Sequence, residues 1–197
     1  MKCDFRAVVM GLSAGGFKAL HIMLPMLPQN LPCPVIIVHH RIPADNDFFV
    51  DSLNNISKLI VKEAEDKEKL KPGKIYIAPG NYHLLVEKDQ TLSLSVDEPV
   101  CYARPSIDVL FETAALAFGP HLIGIILTGA NCDGSNGIRI IKANKGLTIA
   151  QDPSTAEVNL MPGSAIATHC IDFVLSLEDI PSFITCLLEN DHERYKS

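Results

Sequence analysis

Ser13, the pair His39-His40 and Asp133 are the residues of this chain whose types can together do chemistry. Ser13 stands in Gly11-Leu12-Ser13-Ala14-Gly15, a Gly-x-Ser-x-Gly pattern with Gly16 directly after it. A serine hydroxyl is a weak nucleophile until a base takes its proton, and imidazole does that near neutral pH. A buried carboxylate can then fix the histidine tautomer and stabilise the imidazolium. Backbone N–H groups at the start of a following helix would face the oxygen of whatever the serine attacks. The chemistry in prospect is acyl transfer through a serine ester. Each residue also has a plainer use. A glycine-rich turn can cradle a phosphate, and Ser13 can simply satisfy backbone groups in its turn. A histidine at a strand end is often a half-buried polar tip, and Asp133, before Gly134, can cap a helix.

The elements that must position these residues follow from the apolar pattern. Residues 7–10 are an apolar run that reads as a buried strand, and glycine suits the sharp strand-to-helix turn after it. Phe17, Leu20, Ile22, Met23 and Leu24 then form a helical stripe that Pro25 ends. Residues 34–39 predict a strand buried on both faces, with His39 and His40 at its end. Asp45 is placed to cap a helix through Phe48, Phe49, Val50 and Leu53, followed by a short strand at 59–61. The charged run 63–71 reads as solvated surface. A strand at 74–77 stops at Pro79-Gly80, and 83–87 with 91–95 predict a β-hairpin with one wet face. Pro105 predicts a helix start, with Val109, Leu110, Ala114, Ala115 and Phe118 inward. Residues 121–128 are the most apolar strand, and the loop 129–134 after it carries Asp133. A helix closed by Gly146, a strand at 147–151, a short helix at 162–167, a strand at 171–175 and a helix at 177–188 complete the chain. Strands alternating with helices mean a mostly parallel α/β sheet, whose site lies beyond the carboxyl ends of the strands. Ser13, the two histidines and Asp133 all follow such strand ends.

Composition bounds the rest. The 197 residues make one ordinary domain, 47% apolar and 20% charged, with ample core. A net charge of −6 without a basic cluster argues against nucleic acid. The six cysteines form no C-x-x-C pair, so they read as reduced, mostly buried thiols of a cytoplasmic protein, without a disulfide frame or zinc site. No stretch reads as a signal peptide or reaches membrane-spanning length.

These motifs, with others, resemble the catalytic domain of the CheB family, the protein-glutamate methylesterases of bacterial chemotaxis. The likeness covers about 6–184 and adds Ile77-Ala78-Pro79-Gly80 with His83, and Arg104-Pro105-Ser106-Ile107-Asp108-Val109-Leu110-Phe111. It continues through Leu127-Thr128-Gly129, Asp133-Gly134, Gln151-Asp152 and Met161-Pro162. The resemblance implies a three-layer, Rossmann-like, mostly parallel sheet with helices on both faces and a hairpin insertion. It implies Ser13, His40 and Asp133 as catalytic residues, and the N–H groups of Ala14 and Ala130 as oxyanion donors. His39 stands where the family often has glutamine. Adjacent strand residues point to opposite faces, so only one of the two histidines is expected to reach Ser13. The chain departs from the family in having Ala14 for Thr or Ser, Ala130-Asn131 for Met-Gly, and Leu160 for Gly. Cys132 is expected to be packing.

The activity so implied is removal of methyl esters from glutamate side chains on chemoreceptor cytoplasmic helices, with deamidation of receptor glutamines through the same acyl-enzyme. Arg104 and Met161 are the expected substrate contacts, and neither metal nor cofactor is required. Residues 1–197 would form one catalytic domain without the receiver domain of most relatives. Control would then come from expression, location or a separate receiver protein. A non-catalytic receptor-binding module and a serine esterase of another substrate remain open as alternatives.

Overall fold

The computed structural model describes residues 4–40 and 46–189, excepting the side chains of 46 and 47. The capping role expected of Asp45 lies outside the described residues. Seven strands form one parallel sheet in the order β3-β4-β2-β1-β7-β8-β9. They are β1 (Ala7–Leu12), β2 (Val35–His39), β3 (Ile60–Glu63), β4 (Lys74–Ile77), β7 (Leu122–Ile126), β8 (Leu147–Gln151) and β9 (Phe173–Leu175). Between β4 and β7 the chain makes the antiparallel hairpin β5 (His83–Val86) and β6 (Leu92–Ser95), as the alternation predicts.

Alternation along β1 sorts the two faces. Val8, Met10 and Leu12 pack with α1 (Gly16–Met23), α2 (Asn46–Ile56) and α6 (Asp179–Leu188). Ala7 and Val9 pack with the hairpin and with α3 (Ile107–Phe118), α4 (Ser135–Ala143) and α5 (Leu160–Ile166). Both clusters are dominated by aliphatic side chains at or near zero exposure. Each such burial contributes about 1.5–3 kcal/mol before the entropic cost of ordering. Gly11 lets α3 approach, because a Cβ there would collide with Ile107.

The strand order places the site. From β1 the chain winds outward through β2, and the hairpin and α3 then carry it back to β7 on the other side of β1. The connections leaving β1, β2 and β7 therefore converge at the point where the winding reverses, the position at which α/β sheets bind ligands.

Several local expectations need correction. The α-helical part of the first helix ends at Met23, just before Pro25 as expected, but the chain runs on as a 3₁₀ turn, Leu24–Met26, that contains Pro25. Pro105 lies outside α3, whose N-cap is Ser106. The left-handed residue after α4 is Lys145, with φ 66°. Gly146 is needed there for space, because a Cβ would lie 2.7 Å from the Ile141 side chain and 3.1 Å from the Leu122 carbonyl. The charged run 63–71 is tied down as well as solvated. Lys67 N donates to Leu92 O at 2.8 Å, Leu92 N to Glu68 O at 2.7 Å, and Lys62 pairs with Glu65 and Glu68. Of the described cysteines only Cys33 is buried, and that burial pushes its thiol up to about 12. Cys101 and Cys132 are exposed, so Cys132 does not pack.

Candidate active site

Ser13 follows β1 directly, and backbone bonds fix its turn. Ser13 N donates to Thr128 O at 3.0 Å, and Gly16 N donates to Ser13 O at 2.8 Å. Gly15 takes φ 78°, a left-handed conformation that a side chain resists. A Cβ there would also meet Glu157 at 2.7 Å and Thr128 Oγ1 at 3.0 Å. Thr128 braces the turn from the neighbouring strand end. Its Oγ1 donates to Ala14 O at 2.9 Å and accepts from Val158 N at 2.9 Å. Gln151 supports Thr128 in turn, accepting its N–H at 2.9 Å and donating to Thr155 O at 3.0 Å.

His40 follows β2, and its N–H donates to Leu12 O at 3.1 Å. Its Nε2 lies 2.9 Å from Asp133 Oδ2. Asp133 is fully buried and sits at the N-terminus of α3 rather than capping its own helix. Besides the imidazole, its carboxylate accepts from Ile107 N at 2.7 Å, Asp108 N at 3.0 Å, Ser106 Oγ at 3.0 Å and Gly134 N at 3.0 Å. Burial pushes this carboxyl up, but the His40 bond and the N–H groups of Ile107 and Asp108 outweigh it and hold the carboxyl below its ordinary range. Negative charge at a helix N-terminus is also favoured by the helix dipole. The favour is returned across the α3–α4 contact, where Asp108 Oδ1 accepts Gly137 N at 2.7 Å in the first turn of α4. Burial, together with the charge of Asp133, holds the Asp108 carboxyl above its ordinary range.

The ionised Asp133 can only accept, so His40 carries a hydrogen on Nε2, and in the neutral ring the lone pair is on Nδ1. Asn131 Nδ2 lies 3.3 Å from that Nδ1, and Asn131 Oδ1 accepts Asp133 N at 3.2 Å. Among the described residues the Ser13 hydroxyl makes no hydrogen bond. The N–H groups of Ala14 and Ala130, both exposed residues, likewise donate to no protein acceptor among the described residues. An open pocket of about 520 Å³ fronts Ser13 and is lined also by His39, His40, Lys18 and Glu157.

The structure thus brings Ser13, His40 and Asp133 to one sheet edge, beside two N–H groups that are unpaired among the described residues. His39 departs from expectation. Its ring turns to the opposite face, stacks on Phe49 at 5.0 Å, and still reaches Ser13, though at the carbonyl oxygen rather than the hydroxyl, with Nε2 at 3.1 Å. Arg104 Nη1 donates to Val96 O at 2.8 Å and Asp97 O at 3.1 Å, which ties one end of its guanidinium to the segment after the hairpin. Met161 is fully buried and cannot touch a surface substrate in this conformation; it fills the space beside Gly129, and its N–H donates to Gly129 O at 2.9 Å. The Cys101 thiol and the carboxylates of Asp108 and Asp133 lie within 4.8 Å of one another, although Asp133's oxygens are already engaged by donors. Residue reasoning missed Thr128, Ser106, Gln151 and Asn131. Their one signal was a polar side chain at the end of an apolar strand or beside a candidate residue.

The family model described as CheB methylesterase matches residues 8–184. A protein of Leptospira interrogans provisionally assigned as protein-glutamate methylesterase/protein-glutamine glutaminase is 48% identical over 191 residues, 97% of this chain and 99% of that one. A Clostridium acetobutylicum protein-glutamate methylesterase/protein-glutamine glutaminase is 38% identical over 90% of this chain, which spans 51% of it. The crystal structure of the Thermotoga maritima CheB methylesterase catalytic domain superposes with a TM-score of 0.88 at 36% identity, covering 91% of this chain and 97% of that one. Motifs, sheet and sequence agree along nearly the whole described length, and the chain belongs to the CheB methylesterase family.

Proposed function

We propose that this chain is a protein-glutamate methylesterase of chemotaxis signalling that works by a serine acyl-enzyme, with residues 1–197 acting as one catalytic unit. Ser13 Oγ attacks the ester carbonyl of a methylated glutamate side chain, and His40 Nδ1 takes its proton. The N–H groups of Ala14 and Ala130 receive the oxyanion, commonly the largest single stabilising contribution in acyl transfer. His40 returns the proton to methanol as it leaves. Water, activated by the same nitrogen, then releases the glutamate carboxylate and frees Ser13. Asp133 orients the ring and stabilises its cation. A receptor glutamine would pass through the same acyl-enzyme with ammonia leaving.

The observation that carries this reading is the His40–Asp133 contact of 2.9 Å, held at the strand-end edge where Ser13 emerges. The partner is a cytoplasmic chemoreceptor helix, and the enzyme works in the cytoplasm. Among the described residues no helix is long and apolar enough to cross a membrane. Control by a separate receiver protein belongs to the same proposal and is tested by methanol release with and without it.

The deciding experiment is labelling with a serine-directed fluorophosphonate and peptide mapping, beside methanol release from methylated receptor. Label on Ser13 and methanol release are expected. Label elsewhere, or hydrolysis of generic esters without methanol from receptor, would overturn the reading.

A further inference from the structure

The two nitrogens of His40 have different neighbours. Nε2 carries the hydrogen, since the Asp133 carboxylate only accepts, so Nδ1 is the lone pair that must take a proton from Ser13. Asn131 Nδ2 lies against that lone pair at 3.3 Å. The amide cannot be turned round without loss, because Asn131 Oδ1 already accepts Asp133 N at 3.2 Å. Only the NH₂ side is left to face the ring. An N–H···N contact of this length is a weak bond that a better partner displaces. Asn131 therefore occupies the base nitrogen while the Ser13 hydroxyl is unengaged.

We infer that Asn131 is a positioning residue acting through His40: its amide holds Nδ1 in the tautomer the reaction needs and yields that nitrogen to the Ser13 hydroxyl when substrate arrives. The inference rests on the serine-hydrolase reading above. A donor on a lone pair favours the neutral ring and opposes its protonation. Asn131 thus keeps the base nitrogen covered, so that Ser13 stays a hydroxyl at rest. The described charged and titratable groups around the ring are Asp133, with Asp108 behind it and the Cys101 thiol nearby, the neighbouring His39 ring, and Lys18 and Glu157 on the pocket rim. These stay constant when Asn131 alone is changed.

Two substitutions separate this role from support of the loop. Asn131→Asp keeps an oxygen for Asp133 N–H but sets a carboxylate against Nδ1, which favours the imidazolium. Asn131→Ala removes both bonds. The rate of Ser13 phosphonylation is measured against pH for each protein. Long-range proton–nitrogen NMR of the imidazoles is recorded in parallel, with His40 assigned by its loss in His40→Gln. The wild type is expected to show His40 as the Nε2–H tautomer. The pH midpoint of labelling should rise by about half a unit in Asn131→Ala, in line with the net worth of one hydrogen bond, and further in Asn131→Asp. On the alkaline plateau Asn131→Ala should label about threefold faster, because the base nitrogen is uncovered. A wild-type ring in the Nδ1–H form, or an Asn131→Asp midpoint equal to wild type, would overturn the inference. Failure of the phosphonate to label Ser13 would instead sink the hydrolase reading, while the ring spectra would still decide the Asn131–His40 contact.

Discussion

The two sides of the site are built to different standards. On the Asp133 side the carboxylate is fully buried and accepts from the His40 ring, the Ser106 hydroxyl and three backbone N–H groups. On the Ser13 side the turn is held by its backbone, by Thr128 and by His39, while the hydroxyl itself has no partner among the described residues. One side is an anchor whose charge and direction are fixed in advance. The other is a hydroxyl left unbonded among the described residues, in front of an open pocket. A preorganised carboxylate needs no rearrangement during reaction, whereas a hydroxyl already committed to a protein acceptor would have to break that bond first.

The sharpest way to break this contrast is to remove its members. Ser13→Ala and His40→Gln should each abolish nearly all receptor demethylation while leaving the fold intact. Asp133→Asn should cost on the order of 10⁴ in rate, by analogy with serine-protease triads. It should also be the one of the three that destabilises, by about 2–4 kcal/mol, because an amide NH₂ would face buried donors at the α3 N-terminus. Urea unfolding alongside turnover checks both. The double variant Ser13→Ala/Asp133→Asn should be no slower than Ser13→Ala alone, since residues of one catalytic unit do not add. Equal stability of all three variants would mean that the anchor is not an anchor.

Thr128→Ala comes next. It removes the hydroxyl that ties Ala14 and Val158 together, and with them the turn that aims Ser13. A loss of about 100-fold in kcat/KM is expected, as a displacement of about 1 Å can produce it. The accompanying loss of stability should be about 1–2 kcal/mol. Ser106→Ala should be milder, about 1 kcal/mol in urea unfolding with a rate loss under about tenfold, because the two N–H groups of α3 still hold Asp133.

The smallest effect separates the two carboxylates by pH. Asp108 is held above its ordinary range, so on acidification the native state takes up that proton before the unfolded chain does, and stability rises. Asp133 is held below its ordinary range, so at lower pH the unfolded chain takes up its proton first, and stability falls. The difference in unfolding free energy between wild type and Asp108→Asn should therefore change only in the upper part of the carboxylate range. Against Asp133→Asn it should change only in the lower part. A series of urea midpoints from neutrality to about pH 3 reads both windows, which flank the ordinary carboxylate values. A single common window would show that the two groups titrate alike.

What is legible in the sequence follows from local chemistry. Period-two and period-3.6 apolar patterning marks buried strands and helix stripes, so the strand from Leu122 and the hairpin near 83–95 can be read from their own residues. Ser13 and its glycines are readable because glycine takes a left-handed turn such as that at Gly15 with least strain. The helix start at Pro105 and the closing role of Gly146 depart from expectation for a related reason. Local preference names a residue fit for a boundary, while neighbouring elements decide which residue occupies it.

Local pattern therefore carries the alternation of strands and helices, the turn that presents Ser13, and the residue types needed for acyl transfer. The assembled sheet settles that β1 lies between β2 and β7, which turns residues 13, 40 and 133 into neighbours. Packing around it also settles that Asp133 caps α3 and not α4, that Met161 is buried, that Arg104 is tied to Val96 and Asp97, and that Asn131 lies on His40 Nδ1. The reason is one of range. Backbone propensity and hydrophobic period act over a few residues, but strand order and the partners of a buried carboxylate depend on groups as far apart in the chain as 40 and 133, which meet only after the sheet has formed.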